Sequence, residues 1–184
     1  MRVIAGQYRS RPLRSMPGMD VRPTADRLRE TLFDILAAGN PAALEGSVWV
    51  DLYAGTGAVG IEALSRGAAK VWFVESSAQA VALIRQNLKS LGAEALVLQQ
   101  DVGRAVRSLN FASDYVFLDP PYRMEEEYGK TLDLLAASSV VGKRTIVVAE
   151  HHKKFDPGAE CGGLRRTRKV VQGDAGLSFY RRAG

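Results

Sequence analysis

Short apolar runs alternate with amphipathic stretches along most of the chain, and the alternation predicts a series of strands and helices. A broad apolar stripe of Leu28, Leu32, Phe33, Ile35 and Leu36 predicts a helix over 24–38, with Thr24 as N-cap and Gly39, Asn40 and Pro41 as its stop. The run SVWVDLYA (47–54) then suits a buried strand, and 58–66 a helix closed by Gly67. KVWFVE (70–75) predicts a second strand ending in Glu75. Val81, Ile84, Leu88 and Leu91 fall on one side of a helix over 77–91 that Gly92 terminates. ALVLQQD (95–101) is a third strand ending in Asp101, followed by a short helix over 102–109. YVFLDPPY (115–122) is a fourth strand, stopped by a double proline that no strand interior tolerates. A helix over 125–137 leads to a fifth strand, TIVVAE (145–150).

Strand–helix alternation of this kind predicts an α/β fold with a mostly parallel sheet and helices on both faces. The tail breaks the rhythm. LRRTRKVVQG and GLSFYRRA are two strand-like runs with a glycine turn and no helix between them, so they predict a C-terminal antiparallel hairpin. At the other end Pro12, Pro17, Gly18 and Pro23 interrupt residues 1–23, which predicts an extended arm or short hairpin. The expected organisation is one domain over 1–184, with 1–23 as a basic N-terminal arm and 24–184 as a Rossmann-like core.

Charge sharpens this outline. The net charge is +5, unevenly spread: residues 1–30 carry seven arginines against three acids, and 143–184 carry ten basic residues against four acids. The 112 residues between are net acidic, with eight basic residues against thirteen acids. An acidic centre between basic ends fits a core for chemistry flanked by surfaces for a polyanion, although basic ends also serve plain solubility. Arg9, Arg11, Arg14 and Arg27 are the candidate contacts to such a polyanion, which the resemblance given below implies to be RNA. Arg165, Arg166, Arg168 and Lys169 are read either as phosphate contacts or as exposed strand positions kept basic for solubility. No apolar run reaches the ~20 residues that cross a bilayer. Cys161 is the single cysteine, and no secretory pattern opens the chain, so a reducing, cytoplasmic setting is expected. His151 and His152 lack a third ligand nearby in sequence; they are read as surface or crevice polar residues, and no metal is expected.

Two stretches carry chemistry. In DLYAGTGAVG (51–60), Gly55, Gly57 and Gly60 spell G-x-G-x-x-G between a strand and a helix, with Glu75 ending the next strand. Such a loop lets backbone approach a ligand closely, and a strand-end acid can accept ribose hydroxyls. The pattern alone does not choose the cofactor. Asp51 bears on it: a carboxylate beside the loop would repel a pyrophosphate and better suits the ammonium and sulfonium of S-adenosylmethionine. Asp101 can accept a hydrogen bond from an adenine amino group, or cap the following helix; the two roles are compatible.

The second stretch is Asp119-Pro120-Pro121-Tyr122. An exocyclic amine is a poor nucleophile because its lone pair is delocalised into the base. An Asp119 oxygen and the Pro120 carbonyl can accept its two N–H bonds and aim the lone pair, while two prolines stiffen the backbone. Tyr122 can stack on a base splayed from its helix.

DLYAGTGAVG, VES, QQD and DPPY, in that order, resemble the class I S-adenosylmethionine-dependent N-methyltransferases. RVIAGQYRSRPL and RPTADRLRETLFDIL further resemble the RsmD family, which methylates N2 of a guanine in small-subunit (16S) ribosomal RNA. The resemblance implies that Asp119, Pro120, Pro121 and Tyr122 form the amine-methylating motif. It implies a cofactor site of Asp51, Ala54, Gly55, Thr56, Gly57, Glu75 and Asp101, with Arg22, Thr24 and Arg27 near the cofactor or the substrate entrance. The partner would be small-subunit ribosomal RNA or the assembling subunit, the protein a monomer without membrane attachment. Residue chemistry alone leaves open an adenine-N6 or other amine substrate in DNA, RNA or protein. An NAD(P)-dependent dehydrogenase and a non-catalytic RNA-binding module are weaker alternatives, opposed by Asp51 with D-P-P-Y and by the acids at 75, 101 and 119 respectively.

Overall fold

The structure, a computed structural model, describes residues 1–16, 23–121 and 123–184, excluding the side chains of Pro23 and Thr24. Arg22 and Tyr122, two of the expected site residues, lie outside the described residues, as does the side chain of Thr24.

One sheet of eight strands organises these residues, in the order β3-β2-β1-β4-β5-β8-β7-β6. Its parallel half comprises β1 (Val48–Leu52), β2 (Lys70–Glu75), β3 (Leu96–Gln99), β4 (Ser113–Leu118) and β5 (Val141–His152). Its antiparallel half comprises β6 (Glu160–Cys161), β7 (Leu164–Gln172) and β8 (Ala175–Arg182), with β8 inserted against β5. The helices are α1 (Pro23–Ala37), α2 (Ala58–Ser65), α3 (Ala78–Leu91), α4 (Val102–Ser108) and α5 (Glu126–Ala137), with a 3-10 turn at Pro41–Leu44.

The predicted elements are all present, with shifted ends. α1 starts at Pro23, so Thr24 is inside the first turn and is not the N-cap; proline's fixed φ is preorganised for the first helical position. The double proline ends β4 at Leu118 and leaves Asp119 outside the ladder. β5 runs past the predicted 145–150 at both ends, because β4 pairs it from Val141 and β8 pairs it as far as His152. The hairpin turns at Gly173 and Asp174, and the two-residue β6 was not legible in the sequence.

Alternation along the strands sends side chains to two apolar layers. Trp49, Phe73 and Phe117 face α1, α2 and α3 together with Phe33, Ile61 and Ile84. Val50, Val116 and Leu118 face α4 and α5 together with Val106 and Leu132. Trp49, fully buried, stacks between Phe33 (5.3 Å) and Tyr115 (4.6 Å) and fixes α1 to the sheet. Burying one such side chain contributes about 1.5–3 kcal/mol.

The N-terminal residues form an antiparallel turn pinned to the core. Arg2 bridges Pro12, and the Ile4 and Ala5 amides donate to the carboxylate of Glu62, which is fully buried in α2. Arg66 completes that carboxylate at 2.9 Å, and Arg29 of α1 lies 3.7 Å from it while donating to the Arg2 carbonyl. Buried Asn87 of α3 accepts from the Arg14 amide and donates to the carbonyls of Arg14 and Thr56. The arm is thus docked through buried polar groups on α2 and α3. His151, expected at the surface or in a crevice, is fully buried; its Nε2 meets Ser178 Oγ (2.9 Å), and Gly176 leaves space for its ring. Burial against β8 also lowers its pKa.

Candidate active site

The carboxyl ends of β1, β4 and β5 open onto a cavity of about 460 Å3, roofed by Leu28, Arg29 and Leu32 of α1. Asp51, Ala54, Gly55, Thr56 and Asp119, all named from sequence, line it, and so do Tyr53, Glu150 and Leu177. A second cavity of about 490 Å3 lies at the ends of β2 and β3, bounded by Glu75, Gln100, Asp101 and Pro121. Tyr53 borders both. This is the crevice outside the carboxyl ends where ligands of open α/β sheets bind.

The three glycines of the loop serve three different needs. Gly55, at φ +54, lines the first cavity, and a Cβ there would meet nothing closer than 3.9 Å. Gly57, at φ +77, is the left-handed N-cap residue of α2. Gly60 has ordinary backbone, but a Cβ would lie 2.3 Å from the Phe73 ring, so it is the point where α2 rests on β2. Tyr53, a non-glycine at φ +58, holds the strand end in the strained left-handed region, with its hydroxyl 2.8 Å from Thr131 Oγ1.

Four of the loop amides already have partners. Gly60 N–H donates to Asp51 Oδ2 (2.9 Å), Gly55 N–H to Glu75 Oε2 (2.9 Å), and the Ala54 and Gly57 amides to backbone carbonyls. Asp51 therefore places a carboxyl group of the protein's own at the N-terminus of α2, where a dinucleotide would set its pyrophosphate. Glu75 is anchored further by the Ser77 amide on Oε1, which orients its carboxylate at the second cavity. Asp101 caps α4 by accepting from Arg104 N–H, the capping role read from the sequence, and it also borders the same cavity.

Electrostatics set the first cavity apart. Burial pushes the Asp51 carboxyl up to about 8, against the lowering effect of the Gly60 amide, and Glu75 adds to the rise. Asp119 is raised well above the usual carboxylate range, first by burial, then by Glu150 and Asp51. A cavity lined by mutually repelling carboxylates suits a positively charged guest. Its donor set therefore fits S-adenosylmethionine and rejects a pyrophosphate. Gln100 Oε1, buried and without a hydrogen-bond partner, offers the second cavity an acceptor.

Of the expected RNA contacts, Arg9 and Arg27 are exposed and share a shallow hollow with Arg2. Arg11 and Arg14, also exposed, lie over α3, where Arg11 donates to the Ser90 carbonyl. Sequence reasoning missed Tyr53 and Glu150. Glu150 carried a signal, since it ends its strand run as Glu75 and Asp101 end theirs; a tyrosine at positive φ gives none.

Known proteins resemble this chain in sequence and in fold. The Escherichia coli protein named ribosomal RNA small subunit methyltransferase D is 31% identical over 188 residues, covering 99% of this chain and 90% of its own. A hypothetical protein of Thermus thermophilus superposes with a TM-score of 0.82 at 26% identity, over 98% of this chain and 99% of its own. The magnesium protoporphyrin IX methyltransferase of Synechocystis, solved with bound S-adenosylmethionine, shares the fold at a TM-score of 0.71 and 16% identity, over 89% and 82%. Sheet order, the reversed strand beside β5 and the loop after β1 define a class I methyltransferase fold. Within that class the chain belongs to the family described as conserved hypothetical protein 95, whose sequence profile matches residues 1–181, and this is the RsmD family.

Proposed function

We propose that this protein is an S-adenosylmethionine-dependent methyltransferase acting on the exocyclic N2 amine of a guanine in small-subunit ribosomal RNA. The observation that carries the reading is the meeting of the Asp51-capped glycine loop and Asp119 at one cavity, in a chain whose relative is named for this RNA. Asp51, Ala54, Gly55, Thr56 and Gly57 hold the methionine end of the cofactor; Glu75 and Asp101 hold its ribose and adenine. S-adenosylmethionine supplies an electrophilic methyl on a sulfonium.

The protein's part is to hold the amine and accept its proton. Asp119 and the Pro120 carbonyl accept the two N–H bonds, which frees the nitrogen lone pair for in-line attack. Buried Pro120 keeps that carbonyl in place. As the N–C bond forms, one amine proton passes to Asp119, whose raised pKa makes it a better base than an exposed aspartate. Tyr122 stacks on the extruded base, and Arg22, Thr24 and Arg27 flank the entrance. Residues 1–184 act as one catalytic unit and a monomer.

The test is transfer of a labelled methyl from S-adenosylmethionine to small-subunit RNA or particles, with nucleoside mass spectrometry to identify N2-methylguanosine. Asp119→Ala should lower kcat about a hundredfold or more. Full activity in that variant, or label on an adenine, refutes the reading.

A further inference from the structure

β5 brings a further carboxylate to the cavity, Glu150, beside Asp119. Leu118 and Ala149 are register partners on parallel β4 and β5, so the residues that follow, Asp119 and Glu150, stand beside each other on strands about 4.8 Å apart. They share the face of Phe117 and Val148, and both line the same cavity. On the far side of Glu150 its register partner on β8 is Leu177, an apolar wall of that cavity.

The backbone under the two acids is held from below. Tyr128 of α5 is buried, and its hydroxyl donates to the Glu150 carbonyl at 2.8 Å and lies 3.4 Å from the Pro120 carbonyl. One side chain thus ties the ends of both strands. Setting a second carboxylate against Asp119 is costly, because each disfavours ionisation of the other. Two acceptors, an Asp119 oxygen and the Pro120 carbonyl, already suffice for the two hydrogens of an amine, and Glu150 adds a carboxylate beside them on the cavity wall, on the side where the next group of a base edge would come.

The chemistry of the bases says which. Next to its N2 amine guanine carries a donor, N1–H, so the edge presents donors in succession. Next to its N6 amine adenine carries an acceptor, N1, which a carboxylate repels. We infer that Glu150 selects guanine by accepting its N1–H while the neighbouring Asp119 holds the N2 amine. The inference rests on the guanine-N2 reading and adds to it the residue that reads the base. A site built to bond a donor rejects the analogue lacking it far more strongly than an apolar pocket rejects a missing methylene.

The test uses 2-aminopurine, which keeps the amine at C2 but has an acceptor at N1. The target guanine is first mapped in small-subunit particles, and particles carrying guanine or 2-aminopurine at that nucleotide are then assayed for methyl transfer. Wild-type protein should prefer guanine by about a hundredfold or more in kcat/KM. Glu150→Gln, whose carboxamide can donate to an N1 acceptor, should shrink that preference about tenfold or more, whereas Glu150→Asp should retain it. Stabilisation by S-adenosylhomocysteine in a thermal shift shows that each variant is folded and binds cofactor. The inference is overturned if wild type uses both bases equally, if Glu150→Gln keeps the full preference, or if the folded variant is inactive on both. A wild-type protein that methylates an atom other than guanine N2 is recognised at the mapping step and removes the underlying reading as well.

Discussion

Asp51 is an acid placed where it can bind a cation only by losing a proton. Its pKa of about 8 lies above the 3.8 of an ordinary aspartate. A raised folded value means stability that is full below about pH 4 and lost as pH rises through about 8. The proposed cofactor's cations favour the charged form, so binding near pH 7 should release protons. Calorimetric titration of S-adenosylmethionine in two buffers of different ionisation enthalpy should show this release, and Asp51→Asn should reduce it. Equal heats in both buffers for the wild type would remove Asp51 from the cation site. The residue was visible in the sequence as a carboxylate near the loop. Its capture of the Gly60 amide was not, because that bond depends on how α2 sits over β1. Glu150 was missed as a site residue although its strand run ends in it, and its pairing with Asp119 needed the register of β4 on β5.

Elements hold these residues through a few close approaches. Gly60 is the point where α2 meets β2, and Gly60→Ala should destabilise the protein by about 1–3 kcal/mol, read from urea unfolding. Wild-type stability in that variant would mean that Phe73 and Val71 yield freely. The arm depends on Glu62, which is fully buried and gathers the Ile4 and Ala5 amides with Arg66 and Arg29. Glu62→Ala leaves two largely buried arginines without their shared carboxylate and should cost about 3–5 kcal/mol. Limited proteolysis should then cut within residues 1–16, and an arm that stays protected would show that its bonds to Ser65, Asn87 and Ser90 hold it without Glu62. The sequence read residues 1–23 as a basic arm or hairpin because of its prolines and arginines. Its docking was hidden, since a glutamate inside a helix gives no sign that it will be buried.

Across the whole molecule the charge pattern and the sheet agree. The net acidic middle of the chain supplies Asp51, Glu75, Asp101 and Asp119, and Arg9 and Arg27 meet at one hollow with Arg2 beside α1. Replacing Arg9 and Arg27 with alanine should weaken RNA binding at every sequence tested. It should also reduce the slope of log K against log salt by about one to two units. An unchanged slope would place the RNA elsewhere. The hairpin is a weaker candidate: Arg166 and Lys169 are taken by Asp156 and Arg165 by Glu160. Their sequence spacing could not reveal these pairs, which form across the β6–β7 turn and the loop before it.

The sequence by itself determined the order of elements, the glycine loop, the D-P-P-Y turn and the acid at each strand end. Hydrophobic period, glycine and proline are local signals, and they act within a few residues. Only the tertiary structure decided which acids meet, since Asp51, Asp119 and Glu150 are far apart in sequence and share a cavity solely through strand order and register. The same holds for the roof of α1 and for the buried carboxylate of Glu62. Burial is a property of the assembled layers, and burial turns these ordinary carboxylates into a site for a cation.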